Sequence, residues 1–180
     1  QQNTLRDALV AAINFNIFHA HADRVRMTNI AQMVNVLQAM ILTDKDKMVL
    51  TPTYYVYDLY QVFQDATALP LEVANPASYR LGDKSLPGIS ASAARGKDGK
   101  LYLSLVNLNP DTAQSVALNV RGGEYSSARG RLLTAAKMDA HNDFGRSPEV
   151  LPADYRAQGE AGELELELPA KSVLVVALSE

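Results

Sequence analysis

The chain of 180 residues has no cysteine. That excludes disulfides, thiol nucleophiles and cysteine-based metal sites. It leaves the compartment open, cytoplasmic or secreted/periplasmic, because exported proteins can also lack cysteine. No run of Lys or Arg exceeds two residues, and the net charge is −3. There is thus no electrostatic footprint for nucleic acid. No apolar run reaches the roughly 18 residues that a membrane-spanning helix needs. Position 1 is not an initiator Met, and no signal peptide follows it. Gln1-Gln2 leads straight into a helix, which suggests a cut chain. What is present is an ordinary globular composition, 47% hydrophobic and 21% charged, sized for one or two domains.

Thr4-Leu5-Arg6-Asp7 has the form of a capping box, with Thr4 as N-cap and Asp7 reaching back. A helix is predicted from there to about Ala20, with Leu5, Leu9, Ala12, Ile13, Ile17 and Phe18 at helical spacing. Its other side is also largely apolar, so the helix expects cover from several directions. Val25 to Ile30 reads as a strand, and 43–47 (Thr-Asp-Lys-Asp-Lys) as a polar surface loop. Thr51-Pro52 predicts a second helix to about Gln64. Helix, strand, loop and helix in this order is how a (β/α)8 barrel repeats, although a whole barrel needs about 250 residues. Residues 1–67 therefore read as the last turn of a TIM barrel.

Near Pro70 the periodicity changes to 2. Alternation marks 88–93, 101–105 and 116–120, with Lys97-Asp98-Gly99 as a hairpin turn. Residues 126–133 read as a further strand. From Ala135 to Gly162 the patterning lapses and a long ordered loop is expected. Glu163 to Leu168 alternates strictly, leucines inward and glutamates to water. Val173 to Leu178 is apolar on both faces, as in a central strand. Residues 68–180 therefore read as a β-sandwich, and the fold class as an α/β barrel tail plus an all-β, jelly-roll-like sandwich.

The stretch Arg24 to Ile41 organises the first part. It is apolar but interrupted by Asn29, Gln32, Asn35 and Gln38, and a buried unpaired amide costs about 1–3 kcal/mol. Each amide needs backbone partners or a ligand. Asn29-Ile30-Ala31-Gln32-Met33-Val34-Asn35-Val36-Leu37 resembles the last barrel strand and following loop of family 51 glycoside hydrolases, the α-L-arabinofuranosidases. Three other pieces agree with it in order: His19-Ala20-His21-Ala22-Asp23-Arg24, Thr51-Pro52-Thr53-Tyr54-Tyr55-Val56-Tyr57, and His141-Asn142-Asp143-Phe144 with Pro148-Glu149-Val150. The resemblance spans nearly the whole chain. It implies hydrolysis of terminal α-L-arabinofuranosyl residues by double displacement, without metal or cofactor. It implies an arabinose-containing oligo- or polysaccharide as substrate, an N-terminal barrel segment as structural partner, and a homo-oligomer. No nucleic acid or membrane partner is expected. A non-catalytic carbohydrate-binding or assembly module is the competing reading, and an inactive structural remnant is a third.

Retaining glycosidases place two carboxylates about 5–5.5 Å apart. In the family resembled here, the acid/base glutamate follows the fourth strand and the nucleophile the seventh. Both motifs belong before residue 1, and no stretch here matches either, so no catalytic residue is assigned. Asp44 and Asp46 read as solvated loop, and Glu163, Glu165 and Glu167 as a solvent face. Gln32 is the substrate-binding candidate. Barrel active sites gather past the C-terminal strand ends, and an amide both donates and accepts. The resemblance adds that the family's glutamine at this point hydrogen-bonds the bound arabinofuranose. Asn35 and Gln38 read as structural. Tyr54, Tyr55, Tyr57 and Tyr60 read as helix packing rather than a sugar platform. His19 and His21 point different ways on a helix and His141 is distant in sequence, so no metal site is expected.

Overall fold

The structure is a computed structural model and describes residues 3–31, 33–74, 78–160 and 162–180. Helix α1 spans Leu5–Ala20. Its start is fixed as the sequence indicates: the Asp7 carboxylate accepts from the Thr4 backbone N–H at 2.8 Å and from the Thr4 hydroxyl at 3.0 Å. One side, Leu5, Ala8, Leu9, Ala12 and Asn16, is buried. Val10 and Ile17 on its other side are exposed. The apolar residues all round this helix are thus covered on one side only.

The expected strand over Val25–Ile30 is not formed; these residues have no regular secondary structure. A strand is stabilised by its ladder to a neighbour, and among the described residues no strand pairs with these. The helix, strand and helix order expected of a barrel's last turn is therefore not formed among the described residues. Strands β1 (Ile41–Asp44) and β2 (Lys47–Leu50) form an antiparallel hairpin. The polar run expected as a loop is the tip of this hairpin, with Lys45 in the left-handed region at φ 54°. Helix α2 (Pro52–Tyr60) continues into a single 3-10 turn at Gln61–Phe63, close to the predicted extent. The Thr51 hydroxyl caps it by accepting from Tyr54 N–H at 3.4 Å.

The rest is strand: β3 (Thr67–Leu69), β4 (Ser78–Leu81), β5 (Lys84–Pro87), β6 (Ile89–Arg95), β7 (Leu101–Asn107), β8 (Gln114–Leu118), β9 (Ser127–Leu133), β10 (Ala153–Gln158), β11 (Leu164–Leu168) and β12 (Ser172–Ser179). Six of them form one antiparallel sheet in the order β10-β9-β12-β7-β6-β3. The β6–β7 turn is the Lys97-Asp98-Gly99 hairpin; Gly99 sits at φ 81°, where a side chain would be strained. Strands β8 and β11 pair apart and lie over one face of the large sheet, while β4 and β5 form a separate hairpin.

Two cores result. Leu164, Leu166 and Leu168 of β11 meet Leu101, Leu103 and Leu105 of β7 and Leu174, Val176 and Leu178 of β12. On the opposite face, α1 and α2 pack against Val106, Leu133, Val173 and Val175. Strand β12 is thus buried on both faces between β7 and β9, as its unbroken apolar run predicts. Strand β10 corrects the expectation of a loop over 135–162. It is an edge strand whose side chains are exposed or half-buried, so only Tyr155 and Ala157 register as inward and the alternation is too weak to read.

Candidate functional site

Gln32, the predicted substrate contact, lies outside the described residues. The segment that follows it is firmly tied. The Met33 carbonyl accepts from Met40 N–H at 3.0 Å and Ile41 N–H at 3.1 Å, and Asn35 N–H donates to the Ile41 carbonyl at 3.1 Å. Val34 and Ile41 form a parallel bridge. Thr51, the cap of α2, donates from its backbone to the Met40 carbonyl at 3.0 Å and from its hydroxyl to the Ala39 carbonyl at 2.9 Å. The loop is therefore fastened to the start of a buried helix. Asn35 bonds Thr43, in keeping with its structural reading, whereas Gln38 is exposed.

The other predicted residues sort cleanly. Asp44, Asp46, Glu163, Glu165 and Glu167 are exposed. Tyr60 is buried and donates to Asn16 Oδ1 at 2.9 Å or the Ala12 carbonyl at 3.2 Å, with the Ser104 hydroxyl also against it. Burial pushes its phenol well above the usual tyrosine range. Tyr57 meets Phe15 edge to face with centroids 4.8 Å apart, and Tyr54 meets Tyr55 at 5.6 Å. These tyrosines pack α2, as expected. His21 is exposed, and the His141 ring turns to the Asp139 carbonyl at 3.1 Å. Among the described residues no three His, Asp or Glu side chains gather as a metal group.

The structure also assembles a polar cluster that periodicity alone does not reveal. Ser92 on β6 donates to Asn16 Oδ1 at 3.0 Å, and Asn16 donates to Ser90 Oγ at 3.1 Å. His19 Nδ1 lies 2.9 Å from Ser92 Oγ. Ser92 thus lies between Asn16 Oδ1 and His19 Nδ1, with one hydroxyl proton to give and lone pairs to accept. The ring packs 4.7 Å from Phe63 and 5.8 Å from Tyr60. His19 and Asn16 also line an open hollow of about 400 Å³ with Asp23, Leu69 and Ser92.

Burial holds the His19 imidazole below its ordinary value of 6.5. The folded chain therefore binds fewer protons than the unfolded chain just below that pH, so stability falls as pH drops through this window. The charged groups of Asp23, Arg26 and Asp65 line the same hollows. We expect the stability advantage of the native chain over His19→Gln to be constant above about pH 6.5 and to shrink below it. Thermal melts of both proteins between pH 8 and 5.5 check this; a difference independent of pH would remove His19 from the linkage.

Two buried asparagines were not singled out by pattern. Asn107 donates to the carbonyls of Thr112, Leu168 and Pro169 at 2.9, 3.2 and 3.0 Å, joining β7 to the end of β11. Asn142 donates to the Leu50 and Val150 carbonyls at 2.9 Å each and accepts from Val150 N–H at 2.8 Å. It clasps the His141–Phe144 run, the Pro148–Val150 run and the residue before the α2 cap. Motif pieces far apart in sequence thus share one structural job.

Folded in this way the chain is a sheet-rich domain, six strands faced by two helices on one side and two strands on the other. A family model for the α-L-arabinofuranosidase C-terminal domain matches residues 1–172. The intracellular exo-α-L-arabinofuranosidase of Bacteroides ovatus is 43% identical over 179 residues, covering 99% of this chain and 35% of that protein. The crystal structure of the family 51 (GH51) arabinofuranosidase from Xanthomonas axonopodis pv. citri superposes with a TM-score of 0.95 at 48% identity, over 99% of this chain and 36% of that one. The α-L-arabinofuranosidase from Thermotoga maritima, at 23% identity and a TM-score of 0.83, shares the fold over 39% of its length. The chain belongs to the α-L-arabinofuranosidase C-terminal domain family, and spans about a third of the first two of these relatives (35% and 36%). Among the described residues no helix is long and apolar enough to cross a membrane.

Proposed function

We propose that this chain is the C-terminal part of a retaining α-L-arabinofuranosidase of family 51 that removes terminal α-L-arabinofuranosyl residues from arabinan, arabinoxylan or oligosaccharides. Residues 1–67 close a (β/α)8 barrel begun upstream, and 68–180 form its accompanying jelly-roll-like sandwich. The observation that carries this reading is an uncovered apolar surface concentrated in the first 50 residues, which hold seven of the eleven exposed large hydrophobics among the described residues. Val10, Ile17, Met27, Met33, Val34, Leu37 and Met48 are 44–85% exposed. Exposed apolar surface concentrated in this way marks a face that is covered in the working molecule. The unpaired Val25–Ile30 segment lies within it, and adjacent barrel strands would supply its missing ladder.

The upstream barrel provides both carboxylates, one as acid/base and one as nucleophile. This chain contributes the Gln32 carboxamide, which donates to one sugar oxygen and accepts from another hydroxyl. In the enzyme with its upstream barrel, Gln32→Ala leaves sugar polar groups unpaired. We expect kcat/KM to fall about 5- to 150-fold, with a smaller change in melting temperature because the emptied space opens to the cleft. A lowered melting temperature with near-normal kinetics would make Gln32 a structural amide instead.

A further inference from the structure

We propose that the β4–β5 hairpin is a clasp whose apolar face docks on the upstream part of the same polypeptide. The inference rests on the upstream barrel proposed above, while the docking surface itself lies wholly within residues 78–87. Local sequence explains why the hairpin forms. Gly82 sits at φ 62° and opens a two-residue turn with Asp83, between the paired Leu81 and Lys84. A turn that begins on a left-handed glycine matches the twist of its flanking strands. The register sets Tyr79 opposite Leu86, Arg80 opposite Ser85 and Ser78 opposite Pro87. Side chains alternate across the pleat. Tyr79, Leu81, Lys84 and Leu86 therefore share one face, and Ser78, Arg80, Ser85 and Pro87 the other. The first face is apolar except for the ammonium beside the turn, and the second is mostly polar.

An antiparallel pair patterned in this way packs its apolar face and wets the other. Here the apolar face is bare. Leu81 is 72% exposed and Leu86 54%, and no residue of 78–87 belongs to either core. Among the described residues neither strand pairs with a third, and a lone two-stranded hairpin is marginally stable in water. The size of the face decides what covers it. Four residues per strand and two neighbouring strands make a face of about 13 Å by about 10 Å. That is far below the roughly 800 Å² per partner of a stable complex between separate molecules. A segment of the same polypeptide does not need that area, because linkage holds it at an effective concentration in the millimolar range. The described residues leave the face uncovered, so the occupant is the upstream barrel.

Hydrogen exchange in two proteins, 1–180 alone and 1–180 joined to its upstream barrel, tests this. Docking should slow the amides of Tyr79 to Leu86 about tenfold or more in the joined protein. Leu81→Thr combined with Leu86→Thr keeps a strand-forming residue at each position and removes the apolar contact. It should return those amides to their rates in 1–180. The amides of Val25 to Ile30 report on the barrel independently of the hairpin. Slowing at 25–30 with none at 79–86 would overturn the clasp alone. No slowing at either would overturn the upstream reading and the clasp together. Slowing at 79–86 that survives the double substitution would overturn the apolar face as the contact. Exchange at 79–86 that slows in 1–180 alone as its concentration rises would place a second copy on this face and overturn the upstream occupant.

Discussion

Purified residues 1–180 should leave an aryl α-L-arabinofuranoside unhydrolysed at any concentration that an active glycosidase would turn over. Retaining hydrolysis needs an acid/base and a nucleophile about 5–5.5 Å apart on either side of the bond. The acidic residues that the sequence offers most prominently do not approach this arrangement. Glu165 and Glu167 point to water from an alternating strand whose leucines are buried, and Asp44 and Asp46 sit at an exposed hairpin tip. Enzymes accelerate their reactions by roughly 10⁶-fold or more, so losing both carboxylates returns the rate to background. Joined to the upstream barrel proposed above, the same chain should hydrolyse the substrate. Turnover by 1–180 that scales with protein concentration and survives repurification would mean that a catalytic pair resides within this chain.

Leu166→Ala should destabilise the folded chain by about 2–5 kcal/mol. Leu166 is fully buried in the middle of β11, flanked by Leu164 and Leu168, which are as deeply buried. These three side chains are the whole inward face of β11 and meet β7 and β12 across the sandwich. The covering sheet has only two strands, β8 and β11, so it has little capacity to close over a cavity, and the cost should lie toward the upper end of the range. Glu165→Ala, one residue away on the solvent face, should change stability by less than about 0.5 kcal/mol. Equilibrium denaturation of both variants decides the matter. Similar midpoints for the two would show that β11 does not pack on the large sheet.

Much of this architecture can be read without coordinates. Strict alternation in 163–168, the double-faced apolar run in 173–178 and the Asp98-Gly99 turn each have a local cause, the pleat or a left-handed φ, and all three are found as expected. The Thr4–Asp7 cap and the Thr51-Pro52 helix start are equally local. Val25–Ile30 fails for the opposite reason: its residues suit a strand, but a strand is a property of its neighbours. β10 escapes notice because an edge strand with one half-buried face has little pattern to show.

The candidate site divides along the same line. Gln32 stands out as an amide in an apolar stretch, and the motif around it suffices to suggest sugar contact. The Asn16–His19–Ser92–Tyr60 cluster does not stand out, because its members lie up to 76 residues apart along the chain, and the asparagine clasp at Asn142 joins residues 92 apart. Periodicity and capping act within one or two turns of chain, so the amino-acid sequence by itself determined most strands of the two packed sheets, though not β10, together with the two helices and the family. Which faces the helices bury, which polar groups meet beneath them and which apolar surface stays bare were decided only by tertiary structure, because burial and hydrogen bonding depend on groups that the chain brings together from far apart.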